Sequence, residues 1–499
     1  MKRAHSVTAE KIAQLKKNYP ENLFPILAEI AEKYRGELYL VGGSVRDCLL
    51  GVHSNDLDIT VPHNAIDCAK TLIRKLGFGT FVDISGPDDE GGRVVVAGVQ
   101  IDVAEYRGGA QDICEDLRYR DFSCNAMAIP VQQLAGDDPS PELIDPMSGL
   151  EDLDGGVVKH CPGAFTADPV RMLRGYRLCA VFGFSMDVAT VRAVEQYAPL
   201  INNVAVERVS SEMKYIFESP RTTETVRAMG EAGLLGALLP ELYAGDGVEQ
   251  PGFHHLDVLG HCFLTLEMME KIIADPGVFF RDRAVDIKEY LSREGVVRCL
   301  KWAALMHDIG KPETKKIRED KGGRATFYNH DEVGMALFNR LAERLRWSRV
   351  DTKLTGALIG MHMHPFHLCN VQREEPVSKR AALKLCHRAG NDLLGLFLLA
   401  MSDSLAGSGE MKPEGMEEEL EILLHIVLRI YEENIKPVLS SPRLLTGADL
   451  IAECGLVPGP LFSVVLDELE IAQVEGRVMD RDSALAWVKA FLKENRTDD

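Results

Sequence analysis

The sequence is short of positive charge: 56 lysines and arginines stand against 76 aspartates and glutamates, a formal net charge of −20. That excludes a basic protein that grips nucleic acid without specificity, because such binding is driven by cationic side chains releasing counterions from phosphates. Local basic ground remains at Arg171, Arg174 and Arg177 and in KWAALMHDIGKPETKKIR, which ends at Arg318. Acidic runs such as EGMEEELE at 414–421 read as solvated helix faces. Long apolar runs are missing. The longest, near Leu393–Met401, is too short to cross a bilayer, and MKRAHSVTAEKIAQLKK has no apolar signal core, so a cytoplasmic protein without a membrane partner is expected. The 11 cysteines are odd in number, scattered and never spaced C-x-x-C, which excludes a disulfide framework and a zinc knuckle. No repeat period is evident. With 499 residues and 46% hydrophobic content, the chain has material for roughly three domains with buried cores.

What is present concentrates between Leu38 and Thr60, in LYLVGGSVRDCLLGVHSNDLDIT. Gly42 and Gly43 let the backbone turn sharply after an apolar strand and present bare N–H groups at the start of a helix, where an anion such as triphosphate is favoured. Asp56 and Asp58 are two apart, so in a strand both carboxylates leave one face while Leu57 and Ile59 enter the core. VQIDVAEYR supplies Asp102 by the same alternation. Oxygen donors of this kind suit Mg²⁺, and three carboxylates on adjacent strands can clamp two metals about 3.5–4 Å apart. Singly, Gly-Gly is commonly a turn and an acidic pair commonly a solvated edge. Their order and spacing together favour the chemical reading.

These residues resemble the bacterial class II nucleotidyltransferases, the family of tRNA CCA-adding enzymes and poly(A) polymerases, over nearly the whole chain. LVGGSVRDCLLG is similar to the family's phosphate loop, DLDIT to its metal motif, and RYRDFSCNAMAI at 118–129 to its ribose-recognising motif. The resemblance implies that Asp56, Asp58 and Asp102 are catalytic, with Mg²⁺ on the first two. It implies that Gly42, Gly43 and Arg46 cradle triphosphate and that Arg118, Asp121 and Asn125 contact ribose or triphosphate. IDPMSGLEDLDGG resembles the hinge between head and neck, ERVSSEMKYIF at 207–217 the neck, and ADPVRMLRGYRLCAVFGF at 167–184 the base-reading helix. In that helix Asp168 and Arg171 would read the base and Arg174 would join the nucleotide site. Asp168-Pro169 is equally the expected start of any helix, an N-cap with proline in the first turn. The arginine stripe is equally a solvated face or a partner for acids.

Two departures bear on nucleotide choice. Ala167 stands where the family usually has Glu. Between Arg107 and Glu115 there is only GGAQDIC, where members that add the terminal adenosine carry a much longer flexible loop. Members that add only the two cytidines resemble this chain in lacking it. A compensating hairpin tip at 85–94, SGPDDEGGRV, is the competing explanation.

A second constellation lies downstream: His261, His307-Asp308, His330, His362, His364 and Asp403, on segments with helical patterning. A lone histidine on an apolar helix is more often a hydrogen-bonded core residue, but imidazole and carboxylate donors are also what a divalent or transition metal needs. MHDIGKP resembles the HD phosphohydrolase signature, which implies that His261, His307, Asp308 and Asp403 hold a metal and that His330 and His362 add a second site. The spacing in MHMH leaves His364 in competition with His362.

The expected architecture is an α+β nucleotidyltransferase head, a mixed sheet with flanking helices, followed by all-α neck, HD and tail domains. Strands are expected near Glu37–Val41, Asp56–Thr60, Arg93–Val96 and Gln100–Ala104. The expected boundaries are a helical lead-in at 1–24, head 25–145, neck and body 146–245, HD domain 250–410 and helical tail 411–499, the last resembling the family's tRNA-contacting module. The implied function is template-independent addition of CCA, or only CC, to tRNA from CTP and ATP by a two-metal mechanism. A metal-dependent phosphohydrolase would be a second activity, with its metal undetermined. A poly(A) polymerase is the near alternative, and an HD hydrolase or RNA-binding protein with a vestigial head is the alternative of a different class.

Overall fold

A computed structural model of the chain describes residues 5–86, 90–135, 141–250, 252–321 and 323–494, so the tip of the 85–94 hairpin, at 87–89, lies outside the described residues. The chain divides into two compact units, Met1–Leu238 and Leu239–Asp499.

The first unit is built on a mixed six-stranded sheet. Its strands are β1 (Tyr39–Val41), β2 (Asp56–Val61), β3 (Thr80–Asp83), β4 (Gly91–Val96), β5 (Val99–Glu105) and β6 (Ala128–Pro130). Across the sheet they run in the order β3-β4-β5-β2-β1-β6. Only β2 and β5 are parallel, and their register places Asp58 opposite Asp102. Alternation makes one face apolar, with Leu57, Ile59, Val94, Val96, Ile101 and Val103 all buried, and helix Ala65–Leu76 covers it through Ala69 and Leu72. The other face carries the acids. The four expected strands form. β3 and β6 were not expected, because each is short and β3 is largely exposed, so neither has an alternating burial pattern to read.

The lead-in is not one helix. A helix capped by the Thr8 side chain spans Ala9–Lys16, and a second begins at Leu23. Pro20 explains the break, since it lacks an N–H and disfavours helix in the residue before it. Also in the first unit, helix Arg171–Phe182 packs on helix Val206–Glu218.

The second unit is helical apart from a small hairpin, Lys316–Arg318 with Arg324–Thr326. Helices Val258–Ala274, Val296–Met306, His330–Arg344, Arg349–Met361 and Leu393–Ala406 form its centre. The tail helices Gly447–Cys454, Leu461–Val474 and Arg481–Glu494 have their own core around Leu450, Val465, Leu469, Ala484 and Val488. The acidic run at 414–421 is not simply solvated: Glu417 pairs with Lys412 and Glu419 with Arg373. All 11 cysteines are free, and no helix among the described residues is long and apolar enough to cross a membrane.

Candidate functional site

In the first unit the chain leaves β1 through Gly42, whose φ of 67° and ψ of −135° belong to a region that only glycine adopts readily. A Cβ there would lie 3.1 Å from Arg120 Nη1 and 3.3 Å from Asp58 Oδ2, so bare backbone faces both a cation and a carboxylate. Helix Gly43–Leu50 starts at this point, and Ser44 Oγ accepts the Asp58 N–H at 2.7 Å, tying loop to strand. Gly42, Gly43, Asp58 and Asp102 line a cavity of about 280 Å³. Asp56 is exposed, two residues away on the same face, and does not line it.

Arg107, Arg120, Arg171 and Arg174 line the same cavity. Arg120 beside it, together with burial, pulls the Arg107 guanidinium down to about 10. Burial raises the Asp58 carboxyl; Arg120 opposes the rise and Asp102 adds to it. Crowded positive charge beside crowded carboxylates suits a polyanion bound together with a divalent cation. The oxygen donors on one sheet face fit Mg²⁺, but Asp102 is already engaged: Arg93, opposite it on β4, forks it with Nε–Oδ1 at 2.7 Å and Nη2–Oδ2 at 2.8 Å.

Several expected residues take other places. Arg118 ends helix Ile113–Arg118 and is exposed outside the cavity; the turn that follows brings Arg120 in instead, held by Asp116 at 2.8 Å. Arg46 is buried and committed to Asp47 at 2.7 Å, to Asn125 Oδ1 at 2.8 Å and to the face of Phe182, so it braces the phosphate loop rather than lining the cavity. Asp121 and Asn125 do line it, joined by an Asn125 Nδ2 to Asp121 Oδ1 hydrogen bond of 3.0 Å. Asp168 is not an N-cap. Helix Arg171–Phe182 begins after Val170 with no side-chain cap, and the Asp168 carboxylate is forked by Arg208 at 2.6 and 3.1 Å. The arginine stripe is paired rather than solvated, Arg174 with Asp121 and Arg177 with Glu212, each at 3.0 Å. Arg93, Arg107, Arg120 and Arg208 were missed. Alternation in GGRVVV could have put Arg93 on the acidic face; no sequence signal places Arg208 against Asp168.

In the second unit, Nε2 atoms of four buried histidines converge on two buried carboxylates. His261 Nε2 lies 3.2 Å from His307 Nε2 and 2.9 Å from Asp403 Oδ1. His330 Nε2 lies 3.1 Å from His362 Nε2 and 3.3 Å from Asp308 Oδ1, and His307 Nε2 lies 3.1 Å from Asp308 Oδ2. Gly310 makes this possible: a Cβ there would stand 2.1 Å from the His330 carbonyl oxygen, so only glycine lets the HDIG turn seat against the His330 helix. His307, His330 and His362 each turn Nδ1 onto the carbonyl three residues earlier, at 2.7–3.0 Å. A carbonyl only accepts, so Nδ1 carries the proton and Nε2 presents a lone pair. The facing Nε2 lone pairs of His330 and His362, 3.1 Å apart, repel unless a cation lies between them, and neither Asp308 oxygen has a well-formed hydrogen bond, although Lys311 Nζ stands 2.6 Å from Oδ2. The donor set therefore fits bound metal. Burial and the neighbouring His330 and His307 push His362 down to about 3.

His364 lies apart, against Arg388, and of the MHMH pair only His362 joins the Nε2 cluster. His254, which sequence reasoning passed over, reaches His261 and Asp403 closely enough to share a ligand group. An adjoining cavity of about 350 Å³ has cationic walls at Lys311, Lys412 and Arg373 and apolar walls at Phe253, Phe366 and Met416.

Residues 38–159 match the Poly A polymerase head domain family, 183–245 the probable RNA and SrmB-binding site of polymerase A, and 258–386 the HD domain. The chain is 32% identical to an A-adding tRNA nucleotidyltransferase of Deinococcus radiodurans over 91% of this chain and 95% of the relative. It is 30% identical to a CC-adding tRNA nucleotidyltransferase of Thermus thermophilus, over 91% and 93%. The fold matches a Thermotoga maritima CCA-adding enzyme complexed with tRNA at a TM-score of 0.64 and 21% identity, covering 98% of this chain and all of that one. Identity at this level along almost the full length of both chains means that the protein belongs to the tRNA nucleotidyltransferase family.

Proposed function

We propose that this enzyme extends tRNA 3′ ends without a template, using CTP, and that it acts in the cytoplasm. The observation that carries the reading is the register of Asp58 with Asp102 in a cavity that four arginines and the bare backbone of Gly42 and Gly43 also line. Mg²⁺ held by Asp56, Asp58 and Asp102 would supply the charge that acidifies an attacking hydroxyl and neutralises a departing pyrophosphate. The chain's own residues do the rest. Arg107, Arg120, Arg171 and Arg174 orient the triphosphate, Asp121 and Asn125 hold the ribose end, and Asp168 with Arg171 faces the base.

Cytidine is favoured by the connection after β5. It makes a short turn at Arg107–Gly109, with Gly108 at φ 59° against the Tyr119 ring, and the Gln111 N–H closes onto Glu115 before helix Ile113–Arg118 begins. No length remains for the flexible loop of adenosine-adding members. The A-adding name of the Deinococcus relative favours the other single-nucleotide reading. Incubation with tRNA ending at the discriminator base, at C or at CC, with CTP, ATP or both, separates them. Two cytidines and a stop are expected; adenosine on the CC-ended substrate overturns the cytidine reading, and no addition at all overturns the whole.

The second unit supports a further activity, hydrolysis of phosphate esters. Three lone-pair nitrogens, the His261 ring and two carboxylates lie at a cavity that Lys311 and Lys412 also line, so metal donors stand beside cations that could meet a phosphate. Release of phosphate from a phosphoester by metal-loaded protein, lost in Asp308→Asn, is the expected result.

A further inference from the structure

Four residues form one row across four neighbouring strands on the acidic face of the head sheet: Val82 on β3, Arg93 on β4, Asp102 on β5 and Asp58 on β2, each in register with the next. Asp102 thus stands between a carboxylate and a guanidinium. Arg93 takes both of its oxygens in a planar fork, with bonds of 2.7 and 2.8 Å. A fork of this kind occupies the lone pairs a carboxylate offers most readily to a metal, and its fixed positive charge opposes a cation on the far side. Asp58 has no such partner: it faces the Gly42 backbone and Arg120 in the cavity. The acidic face is therefore unequal, with Asp56 and Asp58 open and Asp102 closed. Arg93 itself is not buried. Its side chain keeps 38% of its surface in solvent and does not line the cavity, so it can leave Asp102 without crossing packed core.

We propose that Arg93 is a gate on the third carboxylate, exchanging Asp102 for an anionic group of the incoming nucleotide so that Asp102 becomes a metal donor only when triphosphate is bound. This rests on the reading of Asp56, Asp58 and Asp102 as the metal carboxylates. Its physical content is a coupling: a guanidinium that must give up a carboxylate needs another anion, and the nucleotide provides one. Metal and nucleotide then raise each other's affinity by more than the phosphate oxygens alone account for, and an uncharged side chain at position 93 removes that extra coupling by opening Asp102 permanently. A merely structural cross-strand ion pair would stabilise the sheet and leave the coupling the same with or without the Arg93 charge.

The test is local iron cleavage on the full chain. Fe²⁺ with ascorbate and peroxide replaces Mg²⁺ and cuts backbone near its ligands, so fragments ending near residues 58 and 102 report the head, and fragments near 308 and 403 give an internal control for folding. The half-maximal Fe²⁺ concentration for head cutting is measured with and without a non-hydrolysable CTP analogue. In the wild type the analogue should lower it about tenfold, an ordinary size for coupling between sites. In Arg93→Gln it should already be lower than in wild type without the analogue and fall by a clearly smaller factor on adding it, with the second-unit cuts unchanged. Asp102→Asn should reduce the analogue's effect to the same residual factor. An Arg93→Gln protein that keeps the wild-type shift, or that needs more iron than wild type, overturns the gate while leaving the carboxylate reading in place. Head cutting that survives Asp58→Asn overturns the carboxylate reading and the gate with it.

Discussion

Replacement of Arg174 by methionine should destabilise the first unit by about 3 kcal/mol, because it strands a buried carboxylate. Asp121 Oδ1 is well provided for, accepting the Phe122 N–H at 2.9 Å and Asn125 Nδ2 at 3.0 Å. Oδ2 is buried without a well-formed hydrogen bond and faces Arg174 Nη2 at 3.0 Å. The pair is asymmetric, with the Asp121 side chain 7% exposed and that of Arg174 38%. Losing the carboxylate would leave an arginine that water can reach, whereas losing the arginine leaves a charge that water cannot. The retained Oδ1 bonds put the cost at the low end of the about 3–5 kcal/mol typical of a broken buried pair. Burial alone would raise Asp121, but Arg174 and the Asn125 hydrogen bond hold it well below the usual carboxylate range. A depressed carboxylate contributes stability above its unfolded pKa and loses that contribution as pH falls, so the gap between wild type and variant should be full at neutral pH and shrink through the carboxylate range. All three tryptophans, Trp302, Trp347 and Trp487, lie in the second unit, so hydrogen exchange in peptides from Arg171–Phe182 against urea is the assay, with tryptophan fluorescence as the control. The exchange midpoint should drop by about 1 M urea while the fluorescence midpoint stays. A drop below about 0.3 M, or a gap that persists undiminished in acid, refutes the stranded-charge argument.

Asp58→Asn should lower nucleotide addition by at least about a thousandfold at unchanged stability while sparing phosphoester hydrolysis, and His307→Ala should do the reverse; loss of both in either folded variant argues against two independent sites. Chelation followed by metal analysis should show that His362→Gln lowers metal retained by the second unit whereas His364→Gln does not, since only His362 joins the Nε2 cluster. Gly42→Ala should raise KM for nucleotide about tenfold or more, because its Cβ would press on Arg120 and Asp58 at a φ that alanine resists, and a wild-type KM would rule out the bare-backbone cradle. Arg208→Ala removes the fork from the Asp168 carboxylate and leaves it with Arg171, 4.0 Å away, and the ratio of kcat/KM for CTP over ATP should change while the thermal midpoint holds; an unchanged ratio would limit the pair to a structural role.

Patterns with a short period carried most of what was legible. Alternation placed Asp56, Asp58 and Asp102 on one face, and the structure has Asp58 in register with Asp102 on the neighbouring strand, with Asp56 two residues along, opposite Gln100. The two glycines marked the turn after β1. The histidines and aspartates downstream were readable as donors by type and order, and helices bring six of them together. The Asp168-Pro169 pair misled because capping is a local rule, and here the carboxylate is drawn away by Arg208, forty residues on. Arg118 and Arg120 are equivalent by composition, and only the end of helix Ile113–Arg118 decides which one turns inward.

The sequence by itself determined the chemistry on offer: which strands carry acids, where the backbone can approach an anion, and which side chains can hold a metal. These follow from residue type and from periods of two and three to four, which neighbours along the chain enforce. The tertiary structure decided which donors are free. Register put Arg93 across from Asp102, the neck helices brought Arg208 to Asp168 and Glu212 to Arg177, and the close approach at Gly310 chose His330. Such pairings join residues far apart in the chain, and their energies depend on burial and distance, neither of which is written in local order.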